Sequence, residues 1–254
     1  MIDLIVFGVL NNKYAVSIEH VQRIIQARDL TNVPNAHPLI EGMMSYEDSV
    51  LKVISFRNMI GLESYQEELR TLFAKLKSAH TSWVSALEDS LTTGCEFTKT
   101  TNPHMCELGK WIDDFTSYDD HITEVFNTLV EYHKQLHNCG GDALEIYKKD
   151  PQKAKKVFDI DVKNIYAHTM GALDTFIEEL DTVANSLQKL LIYENENKIF
   201  AIKVDAIDDI AHIEESEIKC SNEEDSQSEF LELDGILDIN GDLINVIKSI
   251  KIPT

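Results

Sequence analysis

His133 and His137 are four residues apart, which on an α-helix puts both imidazoles on one face, one turn apart. Ile122, Val125, Phe126, Leu129, Leu136 and the two histidines recur at spacings of three and four, so that face is apolar and both rings point inward. His80 lies on a second such stripe with Leu69, Leu72, Phe73, Leu76, Trp83, Val84, Leu87 and Leu91. Cys106 opens the segment Glu107-Leu108-Gly109-Lys110-Trp111. Three imidazoles and one thiolate converging in a helical core would make a closed tetrahedral site, and Zn2+ accepts that donor set and geometry. A divalent metal with one thiolate calls for a neighbouring acceptor or carboxylate. Asp113 and Asp114 are the candidates by proximity in sequence, and Trp83 and Trp111 read as core packing beside the site. The competing reading is that each inward histidine is a hydrogen-bonded core residue. His104, next to a proline, and His121, at the start of a stripe, are rival ligands.

The elements that must hold these side chains form a helical block inside a β chain. Residues 1 to about 64 carry strand texture. Leu4 to Leu10 and Tyr14 to Ile18 flank a short turn, His20 to Ala27 is a short helix or a third strand, and Ser49 to Ile54 is another strand. From Tyr65 the period becomes helical. A short helix is expected around Leu108 to Phe115, Gly140-Gly141 should weaken or bend the helix carrying His133, and Asp150-Pro151 is a helix start. Met170, Leu173, Ile177, Leu180, Ala184 and Leu187 form a coiled-coil-like seam. Strands return from about Leu190, and Asn240-Gly241 is a hairpin turn. The expected division is a discontinuous β domain, 1–64 and 189–254, interrupted by a helical bundle, 65–188.

The 254 residues suffice for two cores, and an apolar fraction of 43% is that of globular proteins. A net charge of −21 argues against nucleic acid and against anionic membrane as partners. The opening Met1-Ile2-Asp3-Leu4 has no basic n-region, and no apolar stretch reaches membrane-spanning length, so the chain reads as cytoplasmic with no direct membrane insertion. Cys95, Cys106, Cys139 and Cys220 are irregularly spaced, which in such a compartment favours free thiols or metal ligands over disulfides.

His80-Thr81-Ser82-Trp83, Cys106-Glu107-Leu108-Gly109-Lys110-Trp111 and His133-Lys134-Gln135-Leu136-His137 together resemble the chemoreceptor zinc-binding (CZB) domain, over roughly residues 66 to 188. The resemblance implies a bundle of about four helices, one Zn2+ per chain on His80, Cys106, His133 and His137, and a sensory rather than catalytic role. A homodimer through the insert is an assembly it allows. The flanks resemble the CheW-like domain, which couples chemoreceptors to the histidine kinase CheA. The resemblance rests on Tyr14 to Ile18, Val33 to Pro38, Ile40-Glu41-Gly42, Val50 to Arg57, Phe200 to Asp205, Leu233 to Ile236 and Gly241 to Ile244. It implies an α+β chain in which a pair of small five-stranded β-barrels is interrupted by an antiparallel helical bundle. Ser45-Tyr46-Glu47-Asp48 departs from that family's Asn-Leu-Arg-Gly, and an acidic pair where an arginine is expected bears on the partner surfaces.

The expected function is therefore a chemotaxis signalling adaptor whose insert senses zinc or oxidants through a zinc-bound Cys106 thiolate. The alternative is a non-sensing scaffold in which zinc staples a dimerisation bundle. A zinc enzyme is disfavoured, because four protein ligands leave no open position and HExxH, P-loop, GxGxxG and GxSxG patterns are missing. Cys139, two residues beyond His137, is a candidate resolving thiol for Cys106, and Cys95 and Cys220 read as ordinary thiols.

Overall fold

A computed structural model describes residues 1–117, 119–219 and 229–253. In chain order its elements are β1 (Ile2–Val9), β2 (Asn12–Ser17), β3 (Val21–Gln26), β4 (Ile40–Tyr46), β5 (Ser49–Ser55), α1 (Phe56–Met59), α2 (Tyr65–Thr93), α3 (Glu107–Asp114), α4 (Asp120–Tyr147), α5 (Pro151–Val157), α6 (Lys163–Glu178), α7 (Leu180–Leu187), β6 (Lys189–Asn195), β7 (Lys198–Val204), β8 (Ala206–Ile213), β9 (Leu231–Ile239) and β10 (Asp242–Ile250). The fold class is α+β: two five-stranded mixed sheets with a helical insert in the middle. Two compact units result, one of residues 1–65 with 184–254, the other of residues 66–183.

In the first unit the sheets run β8-β1-β2-β10-β9 and β3-β6-β7-β5-β4. They share a plan: antiparallel pairs joined by one parallel pair, β2 with β10 in the first sheet and β5 with β7 in the second. Successive side chains on a strand face opposite ways, and here both faces find apolar partners. On β1, Leu4 and Val6 pack with Ile213, Leu237 and Val246, whereas Ile5, Phe7 and Val9 join a core drawn from both sheets that includes Ile54, Phe56, Tyr193 and Ile202. On β6, Leu191 and Tyr193 enter that shared core while Leu190 and Ile192 pack with Met44, Leu51 and Val53. Burial on two sides explains why these strands are continuous apolar runs rather than alternating ones. The β9–β10 turn has Asn240 at φ 56° and Gly241 at φ 93°, the left-handed pair that a two-residue hairpin requires.

Sequence periodicity missed β8 and left the region of β4 as a pattern without an assigned strand. β8 is exposed along most of its length, with only Ile213 buried, and long-range pairing with β1 makes it a strand, whereas β4 pairs with its sequence neighbour β5 in a hairpin. His20 belongs to a 3-10 turn, Ile18–His20, that precedes β3. Cys220 lies outside the described residues.

In the helical unit, α2 buries the stripe from Leu69 to Leu91, and α4 buries Ile122, Leu129, Leu136 and Ala143 with its two histidines. Helix α4 passes through Gly140-Gly141 without a break, because Gly140 is needed for close packing: a Cβ there would lie 2.3 Å from the Trp83 ring. Asp150 caps α5, its carboxylate accepting from the Lys153 amide at 3.0 Å. A π-helical turn, Phe158–Val162, joins α5 to α6, and its Phe158 and Val162 are buried against α2 and α4 residues. The expected seam is interrupted at Glu179, where α6 ends and α7 begins.

Candidate metal centre

His80 is fixed by its own helix. Its Nδ1 lies 2.8 Å from the Leu76 carbonyl one turn back, a contact in which the ring must donate. The remaining nitrogen, Nε2, then carries a lone pair, and it faces the Cys106 sulfur at 3.9 Å. His133 Nε2 approaches the same sulfur at 3.2 Å. The His133 and His137 rings stand 4.8 Å apart, and each packs edge-on against His80.

Cys106 arrives by a different route. It is the N-cap of α3, and its sulfur accepts from the Gly109 amide at 3.2 Å. The preceding 3-10 turn, Pro103–Met105, folds so tightly onto this first turn that a Cβ on residue 109 would sit 1.7 Å from the Pro103 carbonyl oxygen. Glycine three residues after the cysteine is thus what lets the sulfur reach the cluster. The opposite wall is Trp83, whose ring lies 4.8 Å from that of His137 and whose indole donates to the Thr100 carbonyl at 2.7 Å.

The ligand atoms of His80, Cys106, His133 and His137 all lie within 4.8 Å of one another, and the three histidines are buried. Among the described residues no other group of three or more His, Cys, Asp or Glu converges in this way. A zinc tetrahedron with bonds of about 2.0–2.3 Å has edges of roughly 3.3–3.6 Å, so the separations of 3.2 and 3.9 Å bracket it. His137 supplies a further test of fit. It is 0% exposed, and neither of its nitrogens has a hydrogen-bond partner among the described residues. The Thr100 carbonyl, which accepts from the Trp83 indole, lies near enough to favour protonation of His137 against the effect of burial. A buried imidazole left so is costly unless something binds it, and a metal at the centre of the cluster would.

The electrostatics run the same way. Burial, followed by its imidazole neighbours His137, His80 and His104, pushes His133 down to about 3. Burial and His80 push His137 down to about 4. Burial also lowers His80, against the pull of its bond to Leu76. All three are neutral at pH 7, the state in which imidazole is a ligand. Burial raises the Cys106 thiol, while the backbone donors of α3's first turn lower it. A cation in the cluster would complete the shift to thiolate.

The acceptor that orients a ligand is a main-chain carbonyl, Leu76, and not a carboxylate. Asp113 instead receives the exposed His104, Nδ1 to both carboxylate oxygens at 2.9 and 3.1 Å, and Asp114 is exposed on α3. Trp111 packs with Phe73, Phe115, Phe126 and Phe176. His121 pairs with Glu179 at 3.4 Å. Sequence reading gave no role to Leu76, whose contribution is a backbone atom. Gly109 was read as part of the Cys106 to Trp111 segment but given no packing role, and Gly140 was read as a point that would weaken or bend its helix rather than as a close approach to Trp83.

Two family models match parts of the chain: the CheW-like domain over residues 3–84 and the chemoreceptor zinc-binding domain over residues 80–144. The second match spans all four clustered residues. Among solved structures, the scaffolding protein TtCheW from Thermoanaerobacter tengcongensis is similar over 97% of this chain and 84% of its own, at 11% identity and a TM-score of 0.45. The regulatory CZB domain of DgcZ is similar over 45% of this chain and 98% of its own, at 17% identity and a TM-score of 0.39. No curated protein sequence matches the chain.

Proposed function

We propose, from the premise that the chain joins a CheW-like domain to a chemoreceptor zinc-binding domain, that it is a chemotaxis signalling adaptor coupling chemoreceptors to their histidine kinase, with the helical unit as its sensor. The observation that supports this most directly is the buried cluster of three neutral imidazoles and one cysteine. His80, Cys106, His133 and His137 would hold one Zn2+, which supplies a positive centre that keeps Cys106 as thiolate. Of the four residues Cys106 is the one that is only partly buried, and its side is the one from which an oxidant would approach. With hydrogen peroxide, the thiolate lone pair would attack one oxygen, the O–O bond would break, hydroxide would leave and take the proton of the attacked oxygen to become water, and a sulfenate would remain. An oxidised Cys106 would be a poorer holder of the metal, and His80, His133 and His137 alone would tie α2 and α4 together less firmly.

The docking side of this reading rests on the β unit. The departure at Ser45 to Asp48 covers the end of β4 and the two-residue turn to β5, Glu47-Asp48, with Glu47 at φ 50°. Arg23 stands 3.9 Å from Glu47 and lies over the Tyr46 ring, so part of the acidic charge is met within the unit. A receptor or kinase surface that docks here would carry basic charge.

The deciding measurement is zinc per chain in purified protein, beside Cys106→Ala and His133→Ala. One zinc per chain, lost or weakened at least tenfold in both variants, is the expected result. Zinc indifferent to both changes would overturn the site, and zinc-dependent binding to receptor or kinase that Cys106→Ala leaves untouched would overturn the sensor.

A further inference from the structure

Two cations are almost wholly buried in the β unit: Arg57 in α1 at 2% exposure and Lys203 in β7 at 3%. A buried ion pair is often no more stabilising than an apolar pair of the same size, so two in one unit ask for a role beyond stability. Their partners suggest one, because both lie where the chain leaves this unit for the helices and where it returns.

Arg57 holds Asp205 with a forked contact, Nε to the two oxygens at 2.8 and 3.0 Å and Nη2 to Oδ2 at 2.7 Å. On its other side it reaches the outgoing segment: Nη1 donates to the Glu63 carbonyl at 3.4 Å, and the Tyr65 ring, the first residue of α2, lies 4.6 Å from the guanidinium carbon. The returning segment meets the same carboxylate, the Gln188 amide donating to Asp205 Oδ1 at 3.0 Å. The Gln188 carbonyl is held in turn by the Ala27 amide at 3.2 Å and the Gln26 side chain at 2.8 Å.

Lys203 makes a second grip on the returning segment. Its Nζ donates to Glu41 at 2.6 Å and to Asn185 Oδ1 at 3.1 Å, and Asn185 Nδ2 donates to Asp29 at 3.0 Å. Asn185 lies on α7, the helix that brings the chain back. Lys203 and Asp205 flank Val204 at the end of β7, the middle strand of its sheet, which pairs with both β6 and β5.

We propose that Arg57–Asp205 and Lys203–Glu41 form a latch that grips both ends of the helical insert on one strand, so that the state of the four-residue cluster is felt at β7. The inference rests on the zinc-site reading for its stimulus but not for its architecture. Two short polar side chains, Asn185 and Gln188, are the coupling residues. They act by position and touch no metal ligand.

The test is amide hydrogen exchange on the full chain, followed in β6 and β7, with and without saturating zinc. In the wild type, zinc should slow exchange in β7 several-fold. In Asn185→Ala/Gln188→Ala one zinc should still bind and still protect α2 and α4, while β7 no longer responds. An equal β7 response in the double variant overturns the latch, as does a zinc-loaded wild type whose β7 exchange is unchanged. If the double variant does not fold, Gln188→Ala alone should roughly halve the response, and an unchanged response has the same force against the latch. If the wild type takes up no zinc, the zinc reading fails by itself, and Leu173→Ala, which opens a cavity in the helical core, replaces the stimulus. Exchange in β7 should then rise with the latch intact and not with it cut, and equal behaviour overturns the proposal.

Discussion

The four clustered side chains depend on two glycines that touch no ligand atom. A methyl group on residue 109 would collide with the Pro103 carbonyl, a backbone atom that cannot swing aside. Gly109→Ala should therefore move the Cys106 turn and weaken zinc binding by about ten- to a hundredfold, the range typical of residues that orient ligands. Chelator competition would measure it, and an unchanged affinity would sink the argument. The histidines make a separate prediction for the metal-free protein. Their folded pKa values, about 3 for His133 and about 4 for His137, lie below the unfolded value near 6.5. The unfolded chain then takes up protons first as pH falls, so the stability they contribute is full above about pH 6.5 and drains away towards pH 4 and 3. The loss should be on the order of a few kcal/mol, and His133→Asn should flatten the fall. Equal acid sensitivity of wild type and variant in denaturant unfolding would refute it.

Elements set which side chains meet. Helix α2 brings His80, Trp83 and Leu87 to α4, and the approach is close because residue 140 has no side chain. Gly140→Ala should overpack this contact, tilt Trp83 off His137 and cost about 1–3 kcal/mol in the helical unit. A matching or higher melting temperature would show that the helices can separate without loss. The α5 cap is a milder case. Asp150→Ala removes the acceptor for the Lys153 amide and should cost about 1 kcal/mol without changing zinc content. The interrupted seam at Glu179 shows why helix length is harder to read than helix position: Leu180 and Ala184 continue the apolar period, but residue 184 already belongs to the β unit.

For the whole molecule, zinc on the proposed site would make metal binding and folding one equilibrium in the helical unit. If zinc is present at about a thousand times its dissociation constant, it adds roughly 4 kcal/mol to whatever unit holds it. Calorimetry of the zinc-loaded chain should show its larger shift, on adding a chelator, in the transition that removes helical circular dichroism. A single transition that ignores the chelator would place the metal elsewhere or nowhere. The net charge of −21 works at this scale too: it is spread over both units and disfavours association with nucleic acid.

The strands around Leu4 to Val9 and Lys198 to Val204, the helices from Tyr65 onward and the candidate ligands were all legible in the sequence, since each rests on local period or on residue type at short spacing. The resemblance to the CheW-like domain implied the α+β class and a pair of small five-stranded barrels interrupted by helices, where the structure has two five-stranded sheets and a helical insert. Sequence reading could not find β8, whose polar face becomes a strand only by pairing with β1. It pointed to Asp113 as a neighbour of the site, whereas the chain turns that carboxylate to His104 and uses the Leu76 carbonyl to orient His80. It saw no role for Arg57, Lys203, Asn185 and Gln188. Their partners lie far along the chain, Arg57 and Asp205 being separated by 148 positions. Local physics is written along the chain, but a partner far away in sequence, or a backbone atom with no residue letter of its own, appears only when the chain is folded.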